Sequence, residues 1–130
     1  MEYVKSFREL EVYKLSRQLS RDIFELSKKF PKEEMYSLTD QIRRASRSIG
    51  AQIAEAWAKR RYEKHFVSKL TDADGEQLET QHWIETAIDC SYLSPEIADN
   101  LLRQYASIGK MLYSMMDKSA SFCNKAAGNR

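Results

Sequence analysis

Glycine and proline are scarce in this chain, four and two among 130 residues. Few positions can therefore break a helix or build a tight β-turn. β-Branched residues are sparse too, while Leu, Lys, Arg, Glu, Ser and Ala dominate, a balance that favours helix over sheet. No stretch approaches the ~20 apolar residues of a membrane span, and residues 1–10 hold no apolar signal core. The two cysteines, Cys90 and Cys123, are expected at opposite ends of a helical hairpin. Two unpaired thiols fit a reducing, cytoplasmic setting. Histidine is limited to His65 and His82. Glu79 and His82 form one Glu-x-x-His pair, but a di-iron bundle needs two such pairs and two further inward glutamates. There is no zinc spacing and no phosphate-cradling glycine loop. No metal, no cofactor and no catalytic residue are expected.

What is present is helical periodicity. Hydrophobic residues make up 42% and charged residues 31%, enough to form one core and keep it soluble. The first helix is expected over residues 7–29, with Val12, Leu15, Leu19, Ile23 and Leu26 inward; Pro31 stops it. A second helix is expected within residues 36–61, where Leu38, Ile42, Ala45, Ile49, Ile53 and Ala56 recur every three or four positions. A third runs to about Cys90, with Phe66, Leu70, Ala73, Ile84 and Ile88 inward. Ser94-Pro95-Glu96 reads as the start of a fourth, which carries Ile97, Leu101, Tyr105, Ile108, Leu112, Met115 and Phe122. Four long helices joined by short turns predict an all-α, antiparallel up-down-up-down four-helix bundle over residues 1–124. Residues 125–130 are expected to fray. The core should include Leu15, Leu19, Ile42, Ile49, Ile53, Leu70, Ile84, Ile108 and Leu112.

The first helix also has a second apolar face. Phe7, Leu10, Tyr13 and Phe24 lie more than about 100° from its inner stripe. Trp83 falls on the polar side of the third helix. Grouped outer aromatics mark an interface, so these five residues are the expected contacts of a homo-oligomer. Gly75 points away from the core mid-helix, where a missing side chain would admit a neighbour.

Charge is divided unevenly. Residues 1–61 hold fourteen Lys/Arg against nine Asp/Glu, or +5; residues 62–130 hold seven against ten, or −3. Arg43, Arg44, Arg47 and Arg61 make a stripe along the outer side of the second helix. Two readings stay open. The arginines contact RNA or DNA phosphates, which guanidinium groups bind bidentately. Alternatively they are absorbed by acidic groups: Asp40 on the same helix, or Asp72, Glu76 and Glu79 of a neighbouring subunit. A second alternative is a ribonuclease using Arg60 and His65, with the histidine as general acid or base and the arginine on the phosphorane charge.

Several blocks of the chain resemble a known family over residues 7–117. They are Phe7-x-x-Leu10 with Val12-Tyr13; Phe30-Pro31-Lys32-Glu33-Glu34 with Tyr36 and Leu38; Gln41-Ile42-Arg43-Arg44-Ala45 with Ser48-Ile49; Gln52-Ile53-Ala54-Glu55; and Ala73-x-Gly75 with Leu78-Glu79. The chain is similar to the bacterial four-helix-bundle proteins encoded in intervening sequences of 23S ribosomal RNA genes. It departs from them at Gln52 and Ala56, where the family usually has Asn and Gly, and at Glu76, where it tends to have Ser. The resemblance implies a four-helix bundle, a ring-like homopentamer and no established enzymatic activity. It also implies a relation to the accessory variability protein of diversity-generating retroelements, which binds nucleic acid and a reverse transcriptase.

Overall fold

The structure, a computed structural model, describes residues 4–123; the tail expected at 125–130 lies outside them. Four long helices follow one another: α1 (Glu11–Ser27), α2 (Leu38–Ala58), α3 (Glu63–Asp89) and α4 (Pro95–Asp117). A single turn, α5 (Ser119–Phe122), follows α4, and 3₁₀ turns occupy Phe7–Glu9 and Lys32–Glu34. No strand occurs among the described residues. In chain order, α1 packs on α2, α2 on α3, α3 on α4, and α4 returns to α1. The α3 helix thus stands diagonal to α1 in an up-down-up-down bundle.

The helix ends follow local chemistry. The Ser94 Oγ accepts the Ile97 N–H at 3.2 Å, and Pro95 takes the first helical position. At the N-terminus the expected long first helix is interrupted. Ser6 caps the 3₁₀ turn by accepting the Arg8 N–H, and Leu10 then adopts extended backbone before α1 begins. That kink turns Leu10 into the core, where it is 6% exposed. Leu10 was expected on an outer face, and the correction follows from the turn: helical phase does not extend through a residue that is not helical.

Leu19, Ile42, Ile49, Ile53, Leu70, Ile84, Ile108 and Leu112 are buried, each at most 1% exposed. Leu15 is only half-buried, because the innermost line of α1 runs through Val12, Ser16, Leu19, Ile23 and Ser27. Ile97, expected inward, is exposed, and Ala98 takes the buried place beside it. Ile88 is half-buried while Ala87 is buried. In each case a small residue takes the buried position and the larger neighbour lies beside it.

Candidate nucleic-acid interface

Small residues bring α1 and α2 together. Ser16 and Ser27 of α1 are buried, and on α2 a Cβ added at Gly50 would stand 3.4 Å from Ser16 Oγ and 3.5 Å from the Tyr13 ring. Longer side chains then spread over the outer side of this seam. The Phe24 ring of α1 lies beneath three cations: Lys28 Nζ at 4.8 Å, the Arg43 guanidinium at 4.7 Å and that of Arg47 at 5.4 Å from its centroid. The negative face of an aromatic ring attracts an exposed cation, as Lys28 and Arg47 are, by about 0.5–1 kcal/mol. Arg43 is fixed further, since its Nε donates to Ser27 Oγ at 2.8 Å.

These contacts join two groups that looked separate in the sequence. Phe24 was assigned to a subunit contact and Arg43 and Arg47 to phosphate; the fold stacks them. Tyr13 and Phe7 meet edge-to-face at 4.9 Å farther along the same side, with Arg8 4.5 Å over the Phe7 ring and Arg17 6.0 Å over Tyr13. Trp83 is elsewhere. It is half-buried on α3, stacks edge-on against His82 at 4.7 Å and donates its indole N–H to Glu79 at 3.0 Å. The four candidate arginines also part company. Arg43 and Arg47 share the seam, Arg44 turns outward from it, and Arg61 lies past the far end of α2, more than ~20 Å away along the helix axis.

The ion pairs among the described residues join Lys14 to Glu11, Lys28 to Glu25, Lys69 to Glu55 and Asp72, and Arg103 to Asp99. None uses Arg43, Arg44, Arg47 or Arg61, and the alternative in which Asp40 pairs with Arg43 and Arg44 is not formed. The acidic side of α3 is partly satisfied within its own chain. Lys69 Nζ sits 3.1 Å from Glu55 and 3.5 Å from Asp72. Burial, then the nearby Glu79 carboxylate, raises the Glu76 pKa, against a hydrogen bond from Ser48.

Sequence reasoning missed the basic residues that α1 contributes. Arg17, Arg21 and Lys28, with Phe24 among them, recur at steps of four, three and four, a helix-face spacing that was legible. Two recesses open between these groups. One, of about 210 Å³, is lined by Phe7, Tyr13, Arg17, Arg47, Gly50, Ala51 and Ala54 together with Ser16, Ser20 and Ser46. The other, of about 260 Å³, is lined by Arg8, Tyr13, Lys14, Arg17 and Arg21. They share Tyr13 and Arg17, and no carboxylate lines either.

Arg60 and His65 hold separate local partners. The Arg60 Nε donates to the Trp57 carbonyl at 2.8 Å, and its guanidinium lies 3.6 Å over the Trp57 ring, so it closes the C-terminus of α2. Burial lowers its pKa. The His65 ring packs on Tyr62 at 5.4 Å in the first turn of α3. Among the described residues no three His, Cys, Asp or Glu side chains gather as a metal site, and no helix is long and apolar enough to cross a membrane.

The 23S rRNA-intervening sequence protein family matches residues 8–114. A solved structure from Bacteroides thetaiotaomicron VPI-5482, a protein of unknown function from the S23 ribosomal protein family, superposes with a TM-score of 0.73 at 30% identity. The match covers 82% of this chain and 95% of that one. No curated protein matches the chain. Helix order, the specific Phe-Pro and Gln-Ile-Arg-Arg-Ala blocks and a match over most of the length agree: the chain belongs to the 23S rRNA-intervening sequence protein family.

Proposed function

We propose that this chain is a non-catalytic bundle that binds RNA or DNA through the phosphates, and that it does so as a homo-oligomer, a pentamer by family resemblance. The observation that carries the reading is the α1/α2 face, where Arg17, Arg43 and Arg47 stand without a carboxylate partner beside exposed Arg44. Arginine offers phosphate a fixed fork of donors. The net charge of +2 is mild for a nucleic-acid binder, and the oligomer answers this by repeating the basic face once per subunit. Such contacts position a backbone and read little sequence.

The test is charge reversal at two exposed positions. Arg44→Glu with Arg47→Glu should weaken retention of RNA or DNA at least tenfold at low salt, and wild-type affinity should fall steeply as salt rises through counterion release. Light scattering should give both proteins the same mass. If the variant instead dissociates, the arginines serve subunit contacts at the Asp72, Glu76 and Glu79 face. If the wild-type protein retains no RNA or DNA in a salt-sensitive way, the proposal is wrong.

A further inference from the structure

The two recesses beside Tyr13 have a shape as well as a charge. The 210 Å³ recess has a wall of Phe7 and Tyr13 and a floor of Gly50, Ala51 and Ala54, flanked by the side chains of Arg17 and Arg47. Its volume is below the ~300–1,000 Å³ of pockets that enclose drug-sized ligands. It suits one planar ring, and its two arginines suit the charge on either side of that ring. The adjoining recess continues the path with Arg8, Lys14 and Arg21. The hydroxyls of Ser16 and Ser20 are committed to the carbonyls of Tyr13 and Arg17 at 2.8 and 2.9 Å, and that of Ser46 to Arg43 at 3.1 Å. They therefore donate no hydrogen bond into the recess, which leaves aromatic and apolar surface flanked by arginines.

Resting on the nucleic-acid reading above, we infer that this groove takes a single-stranded segment, with one unstacked base against Tyr13 and the Gly50-Ala51-Ala54 floor and its neighbouring phosphates on Arg17, Arg47 and Arg21. A duplex keeps its bases stacked and paired, so it presents the groove with phosphates alone. Single-strand binders combine a basic track with aromatic groups in this way, and each base held adds an affinity that phosphates do not supply. The charge pattern argues for this occupant: every ionisable side chain lining the two recesses, Tyr13 apart, is an arginine or a lysine.

The experiment measures fluorescence anisotropy with labelled oligonucleotides of about 12 nucleotides: a uridine or thymidine strand, an abasic strand of equal length, and a duplex. The intact strand, with either sugar, should bind about tenfold more tightly than the abasic strand, and also more tightly than the duplex. Ala51→Leu with Ala54→Leu fills the floor from one exposed and one half-buried position and should bring the intact-to-abasic ratio close to one. Arg17→Gln should reduce the slope of log affinity against log salt by about 0.7, the loss of one phosphate contact on a single strand. Equal binding of intact and abasic strands by the wild-type protein overturns the inference while leaving phosphate binding standing. So does a filled-floor variant that keeps the wild-type ratio, or one whose light-scattering mass changes, which makes the groove a contact between copies. If none of the three oligonucleotides binds in a salt-sensitive way, the broader reading fails and this one with it. Should the filled-floor variant not fold, the wild-type ratio decides alone.

Discussion

Glu34 stands between the start of one helix and the end of another. One carboxylate oxygen accepts the Ser37 hydroxyl at 2.7 Å and the Leu38 N–H at 3.2 Å, which caps α2 from outside the usual capping position. The other accepts the Tyr92 hydroxyl at 2.9 Å, across 58 residues of sequence. Tyr92 can reach because α3 ends in a left-handed Ser91 (φ 62°), with the Tyr92 N–H on the Ala87 carbonyl and the Ser91 N–H on the Ile88 carbonyl. That turn also lays Tyr92 against Phe30, with ring centroids 5.4 Å apart. The hydrogen bonds from Ser37, Tyr92 and Leu38 lower the Glu34 pKa, and the bond to Glu34 is the main cause that pushes Tyr92 up to about 12. A depressed carboxylate contributes stability above its unfolded value that is lost as pH falls through the folded one. A raised phenol contributes stability below about pH 10 that is lost as pH rises through about 12. The clasp is therefore whole from about pH 5 to 10. Thermal melts should show Tyr92→Phe less stable than wild type within that window, with a smaller loss of stability above it. An unchanged melting temperature at pH 7 would show that the clasp contributes nothing.

At the scale of the element, α3 separates two glycine environments. A Cβ on Gly75 meets nothing within 4 Å, whereas one on Gly109 of α4 would stand 2.9 Å from Gln77 Nε2 of α3. Gln77 cannot easily move: it is buried, donates to Asp74 Oδ1 at 2.9 Å and accepts from Gln81 at 2.7 Å. Gly75→Ala should stabilise the chain by about 0.5–1 kcal/mol through helix propensity. Gly109→Ala should destabilise it by about 1–3 kcal/mol despite the same gain, because the amide ladder is overpacked. Urea unfolding checks both, and a common sign would contradict this account. The pair also shows what the sequence made legible. Helix number, the Ser94-Pro95 start and the outward Gly75 followed from local chemistry, and the largest core residues followed from periodicity. The buried line of each helix was harder, because apolar size misleads where a small residue takes the innermost place. Ser16, Ser27, Ala87 and Ala98 hold those places, and Leu15, Ile88 and Ile97 stand beside them. The candidate site was half legible for a related reason. Each helix showed its own face, but only the packing of α1 on α2 placed Phe24 under Arg43 and Arg47 and kept Trp83 away on α3.

For the whole molecule, the division of charge along the chain becomes a division in space. The +5 half supplies α1 and α2, which pack together; the −3 half supplies α3 and α4. A single copy presents one basic seam, with Tyr13 and Lys28 about 22 Å apart along α1. If the seam binds nucleic acid as proposed, that length would engage only a few nucleotides, and a few phosphate contacts bind weakly at physiological salt. A homo-oligomer changes the arithmetic without any new contact. Once one seam holds a strand, a second seam meets the same strand at a high effective concentration, and overall affinity can rise by about 10²–10⁴. The gain requires a strand long enough to reach between seams. Competition at equal nucleotide concentration should therefore favour a strand several times longer than one seam by at least tenfold over one that only fills it, and light scattering should report a mass several times that of one chain. Equal competition by short and long strands would mean that the seams act alone, whatever the mass, and would rule out oligomerisation as a source of binding strength. A monomer mass with a strong preference for long strands would place the added contacts within one chain and send the search to Arg61, at the opposite end of α2.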